Sequence, residues 1–256
     1  MRNFKLVLSY LGTHYLGWQK TPFGPSIESS LEIALHRIMH ITPSLEAASR
    51  TDAGVHALNQ VVHFLIDHPI EPSVLKKALN SILPKDISVQ SVEKMPLSFH
   101  STLDACKKQY WYDLCLGPVQ LPFYRNTSWH FPYSLDVEAM RYAAQHFLGS
   151  HDFSALCNER FAFERNPICC IEDISIEWLS EHRLRYVIKG DRFLYKMVRN
   201  MVGTLIDIGR KKRQEMDISH ILLSKDRKKG GVCAPAHGLC LHSIYYSPYS
   251  KKINAP

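Results

Sequence analysis

A chain of 256 residues that is 45% hydrophobic and 21% charged, with 12 glycines and 14 prolines, is globular in composition, which excludes a collagenous, low-complexity or disordered protein. Its formal net charge of +7 points to an anionic partner, nucleic acid or anionic lipid. No run approaches the ~20 apolar residues of a membrane span, and the start, Met1-Arg2-Asn3-Phe4, leads into an alternating segment without a signal-peptide pattern, so a cytoplasmic protein with no membrane partner is expected. Phe4, Leu6, Leu8 and Tyr10 share one face of an opening strand by its period of two. Ile27, Leu31, Ala34, Leu35, Ile38 and Met39 recur at helical spacing behind Ser26, a candidate N-cap. Gln60 to Ile66 reads as a strand. Pro72 then leads Leu75, Ala78, Leu79, Ile82 and Leu83 into a helix stopped by Pro84, and a strand follows over Ile87 to Val92.

The second half repeats this grammar. A strand over 110–116 precedes a helix over 136–148 closed by Gly149, then strands over 174–178 and 184–188, a long helix from about Phe193 to Ile208, and a last strand near 239–246. The recurring order of strand, helix and strand predicts an α+β fold of two similar halves, whose mostly antiparallel sheets carry helices on one face. The boundary falls near residues 96–108. This gives an N-terminal domain over 1–105, a C-terminal domain over 106–248 and a tail over 249–256.

The seven cysteines are odd in number and include the vicinal pair Cys169-Cys170, a poor geometry for a simple bridge, so free thiols are expected. None is spaced Cys-x-x-Cys and the fourteen histidines are scattered, so no metal site is predicted. Between residues 210 and 229 stand Arg210, Lys211, Lys212, Arg213, Lys225, Arg227, Lys228 and Lys229 against three acids, which reads as a solvated face or as a phosphate contact surface.

Three segments carry chemistry. In Ser49-Arg50-Thr51-Asp52-Ala53-Gly54-Val55-His56 an acid stands near a base just before a strand. The segment reads either as a plain turn or as a carboxylate presented at a turn, with Arg50 ready to face an anionic or base-bearing ligand. On the helix near 193–205, Leu194, Met197, Val198, Met201 and Leu205 make a buried stripe with Arg199 at its margin, where the guanidinium either reaches water or meets a carboxylate or phosphate. Lys107-Lys108-Gln109-Tyr110-Trp111-Tyr112 interleaves cations with aromatics, either as ordinary strand packing or as a grip on an RNA backbone and an exposed base.

Taken with Tyr10-x-Gly12-Thr13-x-Tyr15-x-Gly17-Trp18-Gln19, Phe99-His100, His151-Asp152-Phe153, Phe193 to Thr204 and Ala234-Pro235-Ala236-His237-Gly238-Leu239, the segment around Asp52 resembles, in order along the whole chain, the signatures of the tRNA pseudouridine synthase A family. The resemblance implies a pseudouridine synthase-like fold and an isomerase that converts uridine to pseudouridine at positions 38, 39 and 40 of the tRNA anticodon stem-loop. It implies no metal or organic cofactor, and a homodimer that holds one tRNA across both subunits. By position it implies Asp52 as the catalytic aspartate, acting as nucleophile or as base, and Tyr110 as the aromatic stacked near the target base. Arg50 would assist the flipped nucleotide and Arg199 would position the aspartate. The chain departs from the pattern at Ser101-Thr102, where Ala-Arg is common, and at Ser26-Ile27-Glu28, which places a carboxylate where RNA is expected to approach. Two rivals are a non-catalytic RNA-binding module and a synthase acting on another RNA.

Overall fold

The computed structural model describes residues 1–158 and 166–247; the predicted tail over 249–256 lies outside the described residues. In chain order the elements are β1 (Arg2–Tyr10), α1 (Ile27–Met39), β2 (Glu46–Ala47), β3 (His56–Ile66), α2 (Pro72–Ile82), β4 (Ile87–Met95), β5 (Ala105–Cys115), β6 (Trp129–His130), α3 (Val137–Ala144), β7 (Gly149–Asp152), β8 (Ile168–Ser180), β9 (Arg183–Gly190), α4 (Met197–Gly209), α5 (Asp217–Ser224) and β10 (Leu239–Tyr246). The strands form one sheet in the order β4-β1-β3-β10-β5-β9-β8-β7, with β2 beside β3 and β6 beside β5. The fold is α+β, and the similarity of its halves lies in its pairing. β1 lies between β3 and β4, antiparallel to both, as β5 lies between β9 and β10.

Sequence period explains the layers. Phe4, Leu6 and Leu8 of β1, Val62 and Phe64 of β3, Tyr112 and Leu114 of β5, and Leu184, Tyr186 and Ile188 of β9 are buried on one face. They share a single core with Leu31 and Leu35 of α1, Leu75 and Leu79 of α2, Met140 of α3 and Met201 and Leu205 of α4. Each such side chain contributes about 1.5–3 kcal/mol on burial. Among the described residues the other face holds a small second cluster of Ala48, Val61 and Phe99.

Local chemistry sets the element ends. Ser26 caps α1 by accepting from Ser29 N–H, and Ser29 Oγ accepts from Ser26 N–H in return. Leu83, which precedes Pro84, is extended and ends α2. The predicted helix from Phe193 begins instead at Met197, because Lys196 takes a left-handed φ of 60° that cannot continue a helix from the preceding turn. Likewise α3 stops at Ala144, and Gln145–Phe147 tighten into a 3-10 turn.

The two halves meet where β3 and β10 pair in parallel over His56↔Cys240 and Ala57↔Leu241. Parallel neighbours start at the same end of a sheet, so the segments preceding them lie side by side. Those segments are the loop 48–55 and the stretch 230–238.

Candidate active site

The loop 48–55 is held from both sides by backbone. Trp18 N–H donates to Thr51 O at 2.9 Å, Gly54 N–H donates to Tyr15 O at 3.2 Å, and Val55 N–H closes a turn onto Asp52 O at 3.1 Å. Two glycines make this possible. Gly54 has a φ of 78°, and Gly17, at φ 97°, lies so near that a Cβ there would stand 2.6 Å from Thr51 O. Thr51-Asp52-Ala53-Gly54 is thus both the turn its composition suggests and a mount for the carboxylate. Behind it lies a buried polar network. Gln60 Nε2 donates to Ser49 O at 2.6 Å and its Oε1 accepts from Ser49 N–H at 3.2 Å, while Tyr10 OH lies 2.8 Å from Thr51 Oγ1.

Opposite the loop stands α4. Arg199 Nη1 donates to Asp52 Oδ2 at 3.0 Å, and Arg199 Nε donates to Ala234 O at 2.7 Å. The two side chains are 13% and 16% exposed, so the guanidinium turns inward to the carboxylate rather than out to water. The stretch that supplies Ala234 lies along α4: Ala234 N–H donates to Arg199 O at 3.2 Å and Gly231 N–H to Thr204 Oγ1 at 2.9 Å.

Tyr110 comes from β5, next to β10. Its OH lies 2.7 Å from Ser49 Oγ and its ring meets Phe193 edge-on at 5.1 Å. Burial, with a smaller contribution from the nearby Asp52 charge, pushes its phenol up to about 12. It is therefore neutral at physiological pH. Arg50 is exposed on the same loop and forms no ion pair among the described residues. The structure brings Asp52, Arg199 and Tyr110 around Ser49-Arg50-Thr51-Asp52, with Arg50 at the solvent edge.

Other sequence readings resolve differently. His56 does not serve Asp52 as a base. Gly12 N–H donates to its Nδ1 at 2.9 Å, so the proton sits on Nε2, which faces His237 O at 3.1 Å. Burial lowers its pKa and keeps the ring neutral. Of the cation and aromatic run 107–112, Tyr110 is at the site and Tyr112 lies behind it, its OH donating to Pro235 O at 2.9 Å beside the Ala234 carbonyl that holds Arg199. Trp111 points to the other face of the sheet, between the His242 ring at 3.6 Å and the Arg185 guanidinium at 3.8 Å, and Lys107 pairs with Glu172. The carboxylate of Glu28 turns inward: it is buried and accepts from Lys20 N–H at 2.6 Å and Gln19 Nε2 at 2.9 Å. Ser101 is likewise interior, its Oγ donating to Glu46 O at 2.6 Å.

Sequence reasoning assigned no role to Ser49, Tyr10, Gln60 or the Ala234 carbonyl. Gln60 carried a signal, being a polar residue at an inward position between Val62 and Phe64 on one side and His56 on the other.

Residues 6–104 and 143–247 match the model of a family described as tRNA pseudouridine synthase. The chain belongs to that family. It is 49% identical over 254 residues to "tRNA pseudouridine synthase A 2" of Protochlamydia amoebophila, covering 96% of this chain and 95% of the relative. It is 38% identical over 262 residues to "tRNA pseudouridine synthase A" of Chlamydia felis, covering 98% and 94%, and 41% identical over 250 residues to that of Chlamydia muridarum, covering 95% and 92%.

For an enzyme of this isomerase family the geometry offers three things. A carboxylate is fixed at a turn by its own backbone and by a guanidinium. A neutral phenol stands beside it, unable to compete as a base. The ion pair is mostly shielded from water, where charge interactions are stronger than in bulk solvent.

Proposed function

We propose that this chain isomerises uridine to pseudouridine in tRNA, at positions 38, 39 and 40 of the anticodon stem-loop. The observation that carries the reading is Asp52, held at a rigid turn and paired with Arg199 at 3.0 Å beside the neutral Tyr110. The reaction breaks the N1–C1′ bond, turns the uracil, joins C5 to C1′ and releases the C5 proton. Every atom but that proton stays on the nucleotide, and N1 gains one in exchange. Asp52 supplies either the nucleophile or the base; Arg199 keeps its oxygen in place. Tyr110 walls the pocket in which the extruded base stacks, an interaction worth about 1–3 kcal/mol that offsets part of the unstacking cost. Arg50 contacts the flipped nucleotide from the solvent side. Residues 1–105 and 106–248 act as two units with the site at their seam, in a homodimer in the cytoplasm that shares one tRNA.

The test is pseudouridine formation in anticodon-arm transcripts and in whole tRNA. Asp52→Asn should lower the rate by at least the factor of about 10²–10⁴ that general base chemistry supplies; near-normal activity would overturn the assignment. Tyr110→Ala should lower turnover more than tRNA affinity, and equal losses would make Tyr110 structural. Salt-dependent tRNA binding without product at any uridine would favour an RNA-binding module.

A further inference from the structure

We propose that the loops on either side of α5 form one phosphate-binding ridge that grips tRNA away from the target nucleotide; this rests on the reading of the chain as a tRNA-modifying enzyme. The two basic runs, 210–213 and 225–229, are separate in sequence and joined in space. Arg213 Nη2 donates to Gly230 O at 3.5 Å while its Nε lies 3.5 Å from Asp207 Oδ2. Arg227 donates to Gly231 O at 3.0 Å and to Asn200 Oδ1 at 2.7 Å. These two arginines are struts, and the cations around them are left facing solvent.

Two of the outer cations are neutralised, Lys211 by Asp136 at 3.8 Å and Lys225 by Asp152 at 3.1 Å. Lys212, Lys228 and Lys229 are exposed and form no ion pair among the described residues. Two of the run's three acids are tied to backbone, Asp226 Oδ1 accepting from Lys228 N–H at 2.9 Å and Asp217 Oδ2 from Gln214 N–H at 2.9 Å, and with Glu215 they stand against eight cations. The ridge therefore presents unbalanced positive charge on a rigid base. A bilayer surface fits it less well than RNA does, because three of the four large apolar side chains of α5, Ile218, Ile221 and Leu222, are buried in the core, which leaves Leu223, with Met216 just before the helix, in place of a continuous apolar face to enter lipid.

The position separates the ridge from the site and also ties the two together. Arg210 follows Arg199 by eleven residues, about 16 Å along a helix axis. Gly231 and Ala234 bond to Thr204 and Arg199, so the ridge and the Asp52 partner belong to one packed unit. A phosphate held on the ridge thus sits at a fixed offset from the reacting nucleotide.

The decisive variant is the triple Lys212→Ala, Lys228→Ala, Lys229→Ala, compared with wild type in tRNA binding across salt concentrations. All three side chains are exposed, and an unchanged melting temperature verifies the fold. For whole tRNA the slope of log Kd against log salt should fall by about one per lysine lost. Turnover at saturating tRNA and affinity for the isolated anticodon arm should stay at wild-type values. An unchanged slope on whole tRNA would overturn the ridge, as would an equal loss on the isolated arm, which would place these lysines at the target site. Loss of binding to phosphatidylserine vesicles with tRNA binding intact would reassign the surface to lipid. If the wild type shows the salt slope and the triple loses it, yet neither makes pseudouridine, the functional reading fails and the ridge stands.

Discussion

Arg199→Met removes the cation from the Asp52 pair while keeping an unbranched apolar stem on α4. Taking one partner from a buried ion pair costs about 3–5 kcal/mol. Here the side chains are 13% and 16% exposed, and water reaching the carboxylate lowers the figure to about 2–3 kcal/mol, including the Ala234 carbonyl that loses its donor. Asp52→Asn keeps an amide oxygen for Arg199 and should cost about 1–2 kcal/mol. If the two groups act as a unit, the double variant is less destabilised than the sum by about 1–2 kcal/mol, since no unpaired charge remains in it. Urea unfolding of the four proteins at neutral pH measures this directly. The coupling should survive in concentrated salt, where the Debye length is about 3 Å, whereas the exposed pair Lys94–Glu71, at 44% and 58% exposure, should show none. Additivity of the single variants within about 0.5 kcal/mol would refute the idea that Arg199 holds the carboxylate.

Two further outcomes follow from buried groups. His56 is held neutral by burial, so its folded pKa lies below the ordinary imidazole value of about 6.5. Its contribution is fully present above that value and is lost as pH falls through it, because the unfolded chain then binds the proton first. His56→Gln should therefore flatten stability against pH below about 6.5 by up to one proton, about 1.4 kcal/mol per pH unit. His63, His237 and His242, also lowered by burial, remain in both proteins, and parallel curves would sink the assignment. Tyr186 is fully buried, and its OH has no partner among the described residues. Tyr186→Phe should be neutral or stabilising by up to about 1 kcal/mol in thermal unfolding, and a clear loss would mean that the hydroxyl is satisfied.

Much of the fold was legible because one face of each long strand is buried. Phe4, Leu6 and Leu8 announce β1, and the first turn of α1 carries its own cap at Ser26. The strands that escaped are β2, β6 and β7, of two to four residues, too short for a period to register, and the eight-residue α5 escaped because its segment was read only for its charge. The early start predicted for α4 has a different cause. Phe193 and Leu194 continue the apolar spacing, but Phe193 packs on Tyr110 from a turn that Lys196 interrupts. Apolar residues serve a core equally from helix or loop, so periodicity alone could not place that boundary.

The residues alone made the site legible in its parts; its assembly was implied only by the family resemblance. Asp52 and Arg199 stand 147 residues apart, and nothing in either segment states that they meet. What joins them is a parallel pairing of two residue pairs, His56 with Cys240 and Ala57 with Leu241, far shorter than any run that periodicity detects. That brief seam sets the loop 48–55 beside the stretch before β10, and His56 fastens it by taking Gly12 N–H on one nitrogen and facing His237 O with the other. Each half also packs its own segment without room for a side chain: a Cβ on Gly12 would lie 2.0 Å from Val55 O, and one on Gly238 would lie 2.5 Å from the Tyr112 ring, while across the seam a Cβ on Gly54 would meet Ala236 Cβ at 3.4 Å. Glycines at 12 and 238 and the imidazole at 56 therefore belong to the same device as the carboxylate at 52. The glycines seat each segment against its own half, and His56 with the β3–β10 pairing joins the halves so that a residue from each can share one ion pair.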